Sequence, residues 1–186
     1  MRQIPNLLSF LRLICAPITG WLILRNRLEA ALLLSCGAGV TDWIDGYVAR
    51  RLGAMSKIGS YLDPAADKLL LVIAFVSLGV IGLIPDWLVL LVVARDLVIV
   101  VGVALLWKLR GRTEFTPLLS GKLSTAFQIF TVLAVLVGTV FPFTGARILR
   151  DAGIAGTLLF TLVSGLNYVR KGIKMAARES LRESST

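Results

Sequence analysis

Asp42-Trp43-Ile44-Asp45-Gly46-Tyr47-Val48-Ala49-Arg50, then eight residues to Gly59, then Asp63 and Asp67, is the stretch on which the reading of this chain turns. Four acids fall within 26 residues, and long apolar runs flank them on both sides. Asp42 and Asp45 are three apart and Asp63 and Asp67 four apart, separations that put each pair on one face of a helix. The connection of about a dozen residues predicts that the two helices are antiparallel neighbours, with the four carboxylates at one depth.

Four carboxylates in one pocket do not stay ionised without compensating positive charge. Arg50, Arg51 and Lys68, the nearest cations in sequence, are too few to neutralise them all. Two bound divalent cations would do so, and all-oxygen ligation suits Mg²⁺ or Mn²⁺ better than zinc. Paired metals beside a pyrophosphate are the arrangement expected for displacement at phosphorus. The chain has no histidine, so acid–base chemistry must fall to carboxylates, lysines or hydroxyls. The plainer alternative is a set of intramembrane salt bridges that fix helix register; four acids at this spacing argue against it.

Outward from this stretch, the 186-residue chain is 56% hydrophobic, in long runs broken only by short charged loops. A span needs about 20 mainly apolar residues to cross the hydrocarbon layer. Six candidates follow, at 5–24, 30–48, 61–81, 85–107, 123–141 and 148–168. The runs are continuous rather than alternating, so they predict helices and not barrel strands. The expected fold is an all-α integral membrane bundle of six transmembrane helices, forming a single domain over 1–186. A short basic tail from about 169 has the spacing of an amphipathic helix on the membrane surface. No stretch reads as a cleavable signal.

Lys and Arg in alternate loops number thirteen on one side and four on the other, which predicts that both termini are cytoplasmic. The four acids then lie at the cytoplasmic face of the inner membrane. The net charge of +9 resides in those loops, where it suits anionic lipid headgroups rather than nucleic acid. Cys15 and Cys36 sit inside apolar runs and suggest neither a disulfide framework nor a thiolate metal site.

Arg12, Lys68, Arg95 and Asp96 join the four aspartates within or at the edge of predicted spans. Facing lipid, each charge would cost roughly 2.5–3.5 kcal/mol, so such residues turn inward and mark function. Arg95 and Lys122 are candidates for holding an anionic substrate. Their plainer readings are a pairing of Arg95 with a carboxylate across the bundle, and a Lys122 that snorkels to the membrane edge. Lys68 is placed to temper the acid cluster.

Read continuously, residues 42–67 match D-x2-D-G-x2-A-R-x8-G-x3-D-x3-D without departure, the signature that this chain shares by resemblance with the CDP-alcohol phosphatidyltransferases. The resemblance implies a membrane enzyme that transfers a phosphatidyl group from CDP-diacylglycerol to an alcohol and releases CMP. It implies Asp42, Asp45, Asp63 and Asp67 as metal ligands, with Asp67 also the general base. It implies a CDP site made by Asp42, Gly46, Ala49, Arg50 and Gly59, and a homodimer. A glycine one residue beyond a ligand lets a nucleotide approach the helix backbone, and Arg50 can neutralise a phosphate.

Ile4-Pro5-Asn6-Leu7-Leu8 with Arg12 and Pro17, and Leu62-Asp63-Pro64-Ala65-Ala66-Asp67-Lys68, resemble the branch of phosphatidylglycerophosphate synthases and CMP-forming cardiolipin synthases. Two acceptors follow from that resemblance, glycerol-3-phosphate first and phosphatidylglycerol as the alternative. Arg95-Asp96 is similar to the cardiolipin pattern, whereas Gly121-Lys122 is similar to the glycerophosphate one. A reading of another class, a small ion-coupled transporter whose carboxylates carry the ion, gives no reason for the spacing of Gly46, Ala49, Arg50 and Gly59.

Overall fold

The computed structural model describes the backbone of residues 4–52, 59–110 and 119–183, and side chains over 13–41, 67–102 and 119–171. Among these residues the chain is all helix, in the order α1 (Ile4–Leu24), α2 (Leu28–Leu52), α3 (Gly59–Val80), α4 (Asp86–Arg110), α5 (Leu119–Val140) and α6 (Ala146–Glu183). Each predicted run is thus a helix, and most extend beyond their apolar stretch.

Two of the short connections stop their helices in the same way. Asn26, at φ 57°, and Gly82, at φ 75°, adopt the left-handed conformation just past α1 and α3. Around them Asn26 N–H donates to Ile23 and Arg27 N–H to Leu22, as Gly82 N–H does to Gly79 and Leu83 N–H to Leu78. This paired closure is the Schellman arrangement, for which glycine or asparagine is the suited residue. Pro85 then stands just before α4, and its carbonyl accepts from Leu88 N–H and Val89 N–H.

α1 packs on α3 and α2, α5 packs closely on α6, and α5 also touches α2 and α3. Small residues allow the first contact: a Cβ on Gly20 would stand 2.5 Å from Ile73 Cγ2 and 3.1 Å from Ser77 Oγ. Close backbone approach of this kind is how helices associate where lipid offers no hydrophobic drive. α2 and α3 both lie against α1 and α5 and make no direct contact with each other among the described residues. The sequence predicts them as immediate neighbours where they carry the acids; the side chains of that stretch, 42–66, lie outside the described residues.

The core is divided along its length. Ile23, Leu28, Ala31, Leu71, Phe75, Leu78, Ile84, Leu88, Val135 and Leu136 form one apolar cluster around the turns that join α1 to α2 and α3 to α4. Thr19 and Ser77 are the buried polar residues beside it among the described residues; toward the other end, where α2 finishes and α3 begins, polar positions gather: Ser124, Gln128, Thr131, Thr157, Thr161 and Ser164. They satisfy one another between helices. Thr131 donates to the Phe127 carbonyl at 2.8 Å, so its single hydroxyl hydrogen is used and Thr157 must donate to it across 2.8 Å. Ser124 and Thr161 share a 3.3 Å contact, and Gln128 donates to Ser124 at 3.3 Å.

α5 (Leu119–Val140) and residues Ala146–Lys171 of α6 are each long and apolar enough to cross a membrane. Leu33, Leu90, Leu119 and Ile148, on four different helices, are all more than 70% exposed. The basic tail is not a separate element. α6 runs unbroken for 38 residues to Glu183, because Lys174, Met175, Ala176, Ala177 and Arg178 are strong helix formers with no proline among them.

Candidate active site

Asp42, Asp45, Gly46, Ala49 and Arg50 lie on the second half of α2, and Gly59, Asp63 and Asp67 on the first half of α3. The helical backbone through both segments gives the three-residue and four-residue spacings their common faces. Side chains of 42–66, and that of Arg12 on α1, lie outside the described residues. Asp67 is half-buried and engaged in an interaction of its own. As a donor set, four aspartates on two regular helices, with no thiolate or imidazole beside them in sequence, fit a hard divalent cation.

From Asp67 the described site continues through its neighbour. Lys68 on α3 makes an ion pair with Asp96 on α4 at 2.7 Å and donates to Gln128 on α5 at 3.3 Å. The other carboxylate oxygen of Asp96 accepts from Arg95 Nη1 at 2.7 Å. Arg95 Nη2 donates to Ser164 on α6, and the guanidinium carbon lies 5.8 Å from the centre of the Tyr168 ring, a cation–π distance. Four helices therefore meet on one charged group of three residues, at the polar end of the bundle.

The Arg95 side chain is only 8% exposed, and its Nε is buried with no hydrogen-bond partner. It lies in a slot cut by glycines. A Cβ on Gly121 would stand 3.4 Å from Arg95 Nη2 and 3.0 Å from the Tyr168 hydroxyl, and one on Gly165 would touch Arg95 Cγ at 3.9 Å. Lys122, one residue on, is exposed at the start of α5. Of the two cations proposed from sequence, Arg95 is inward and Lys122 is not.

The plainer reading of Arg95, a pairing with a carboxylate across the bundle, is not what the described residues show. Its carboxylate is its own neighbour, and the carboxylate partner across the bundle belongs to Lys68. Lys68 thus leans to Asp96 on α4 as well as standing beside the acids on α3. The sequence marks Asp96 only as an inward charge beside Arg95 and gives no role to Gln128, Ser164 or Tyr168. The available signal was Ser124 with Gln128, and Thr157 with Thr161, four apart inside apolar runs, a spacing that marks a polar helix face.

A charged group of this kind has two cations and one carboxylate. The half-buried Asp67 stands next to Lys68 in sequence, so the charge at this end of the bundle is not set by these three side chains alone.

The sequence model of the CDP-alcohol phosphatidyltransferase family matches residues 2–166. The chain is 35% identical over 156 residues to CDP-diacylglycerol--glycerol-3-phosphate 3-phosphatidyltransferase 1, chloroplastic, of Oryza sativa subsp. japonica, covering 75% of this chain and 47% of that protein. It is 30% identical to the CDP-diacylglycerol--glycerol-3-phosphate 3-phosphatidyltransferase of Aquifex aeolicus, over 95% of this chain and 99% of that one. It is 33% identical to the cardiolipin synthase (CMP-forming) of Rattus norvegicus, over 92% of this chain and 62% of that protein. The chain thus spans about half of the rice protein, under two thirds of the rat protein and nearly all of the Aquifex one. A match over most of the chain, with the eight motif residues intact on α2 and α3, makes this protein a member of the CDP-alcohol phosphatidyltransferase family.

Proposed function

We propose that this protein is a membrane phospholipid synthase that transfers a phosphatidyl group from CDP-diacylglycerol to glycerol-3-phosphate and releases CMP. The observation that carries the reading is the juxtaposition of two features: the acid motif on helical backbone, and, one residue beyond Asp67, the Lys68–Asp96–Arg95 group with its inward guanidinium. The names of the rice and Aquifex relatives support this acceptor. The rat relative's name supports phosphatidylglycerol as the second reading, and Arg95-Asp96 favours it. Either acceptor carries a phosphate that a buried guanidinium can bind. Family membership leaves the transporter reading without support.

In this reading the six helices all span the bilayer, with both termini and the acid motif at the cytoplasmic face of the inner membrane. Trp21 and Trp87, both exposed, sit at the far end of the bundle, as interfacial anchors should. Asp42, Asp45, Asp63 and Asp67 would hold two Mg²⁺ or Mn²⁺ ions. Bound there, the ions supply charge neutralisation for the diphosphate and polarisation of its phosphorus. Gly46, Ala49, Arg50 and Gly59 line the CDP moiety, with Arg50 countering a phosphate charge. Arg95 holds the acceptor's phosphate, and Lys122 guides it from the water side. Asp67 takes the proton of the acceptor hydroxyl. The new oxygen–phosphorus bond forms at the β-phosphorus as the bond to CMP breaks, and CMP leaves with the electron pair. The homodimer implied by the family resemblance belongs to the same proposal.

The test is direct. Purified protein is incubated with CDP-diacylglycerol, Mg²⁺ or Mn²⁺, and each candidate acceptor; CMP release is followed and the lipid formed is identified. Phosphatidylglycerophosphate is the expected product. Cardiolipin formation would establish the second reading, and no CMP release with either acceptor would refute both.

A further inference from the structure

We propose that Asp96 is a positioning residue for the transfer: its carboxylate ties α3, through Lys68, to Arg95 on α4 and so sets the acceptor phosphate against the base. The inference rests on the acceptor reading given above. Its basis is the two-sided grip of one side chain. One oxygen meets Lys68 Nζ at 2.7 Å and the other meets Arg95 Nη1 at 2.7 Å, while the Asp96 side chain is 13% exposed.

At the far end Leu78 of α3 and Leu88 of α4 belong to one apolar cluster, and the helices approach at Gly79, whose Cβ would stand 2.6 Å from Val89 Cγ2. At the motif end the Lys68–Asp96 pair joins them. Lys68 follows Asp67 directly on one helix, so holding the lysine fixes the rotation of α3 at the base. Arg95 precedes Asp96 directly, so the same carboxylate orients the guanidinium. Its second anchor, Ser164, leaves the fork no other short-range carboxylate among the described residues. An anchored guanidinium loses little freedom on binding a phosphate, and misplacement of reacting groups by about 1 Å costs on the order of 100-fold in rate.

A merely structural ion pair would lower stability when broken without distinguishing the two substrates. A positioning carboxylate would be felt by the acceptor alone. The experiment uses the full-length protein in lipid nanodiscs, with CMP release measured for wild type, Asp96→Asn, Asp96→Glu, Lys68→Met and the Asp96→Asn/Lys68→Met double variant. Thermal unfolding is recorded for each. Asp96→Asn should lower kcat/KM for the acceptor by about tenfold or more, with the KM for CDP-diacylglycerol within about twofold of wild type. Asp96→Glu, which keeps the charge, should recover part of the loss. The double variant should lose little beyond Asp96→Asn, since coupled residues are non-additive.

Equal damage to both substrates, damage that follows unfolding temperature alone, or additive losses in the double variant would overturn the proposal. If Asp96→Asn does not fold, Asp96→Glu and Lys68→Met are read by the same acceptor-against-nucleotide split. An active wild type with an indifferent Asp96→Asn removes this inference and leaves the function standing. A wild type that releases no CMP with either acceptor removes both.

Discussion

Gly121 on α5 and Tyr168 on α6 meet so closely that a first side-chain carbon on the glycine would stand 3.0 Å from the tyrosine hydroxyl. The same carbon would stand 3.4 Å from Arg95 Nη2. The glycine therefore keeps open the slot in which the guanidinium lies. Gly121→Val should raise the acceptor KM by about tenfold, a cost on the order of 1.4 kcal/mol, and leave the KM for CDP-diacylglycerol unchanged. Steady-state kinetics with each substrate varied in turn would show it, and an unaltered acceptor KM would dissociate this slot from acceptor binding.

Arg95→Lys keeps the charge but replaces a planar fork, held at Nη1 and Nη2 by Asp96 and Ser164, with a single point donor. The two are not equivalent at a bidentate site. The acceptor KM is expected to rise severalfold for Arg95→Lys and more for Arg95→Ala. Equal KM values for the three proteins would assign Arg95 to structure.

Asp67→Asn preserves shape and removes the base. Turnover should fall by roughly 10²–10⁴-fold, while the variant keeps its elution profile and unfolding temperature. Full activity would transfer the proton-acceptor role to another group.

Removal of divalent ions with a chelator should abolish CMP release, and Mg²⁺ or Mn²⁺ should restore it. The donor set of Asp42, Asp45, Asp63 and Asp67 is all oxygen, so Zn²⁺ should restore it poorly. Turnover that persists in the chelator would remove the metals from the reaction.

Two glycines on different helices should respond oppositely to alanine. A Cβ on Gly156 would collide with the Phe127 ring, which is itself stacked on Phe160 with centroids 4.7 Å apart. Gly156→Ala should cost about 1–3 kcal/mol by overpacking. Nothing among the described residues lies within 4 Å of a Cβ on Gly39, so Gly39→Ala should gain about 0.5–1 kcal/mol in helix propensity. Thermal unfolding in detergent would register both, and a shift in the same direction would undermine the α5–α6 packing described here.

The helices were legible because each is an uninterrupted apolar run, and the acids because their spacing is rigid in sequence. Asp42, Asp45, Asp63 and Asp67 need only two regular helices to define their faces. Arg95 was legible as a charge in a place that lipid excludes. Its partners were not, because Ser164 and Tyr168 are brought to it by the α4–α6 crossing, and no local pattern encodes which face of α6 that crossing selects. Asp96 was visible as a charge but not as a bridge, since its second cation comes from α3.

The lengthwise division of the core means that durability and chemistry are governed by separate sets of side chains. Ile23, Phe75, Leu78 and Leu88 can be repacked for heat resistance without reaching Lys68, Asp96 or Arg95. A lineage could therefore exchange one alcohol acceptor for another by altering a few polar side chains near Arg95, while the apolar half continued to hold the molecule together.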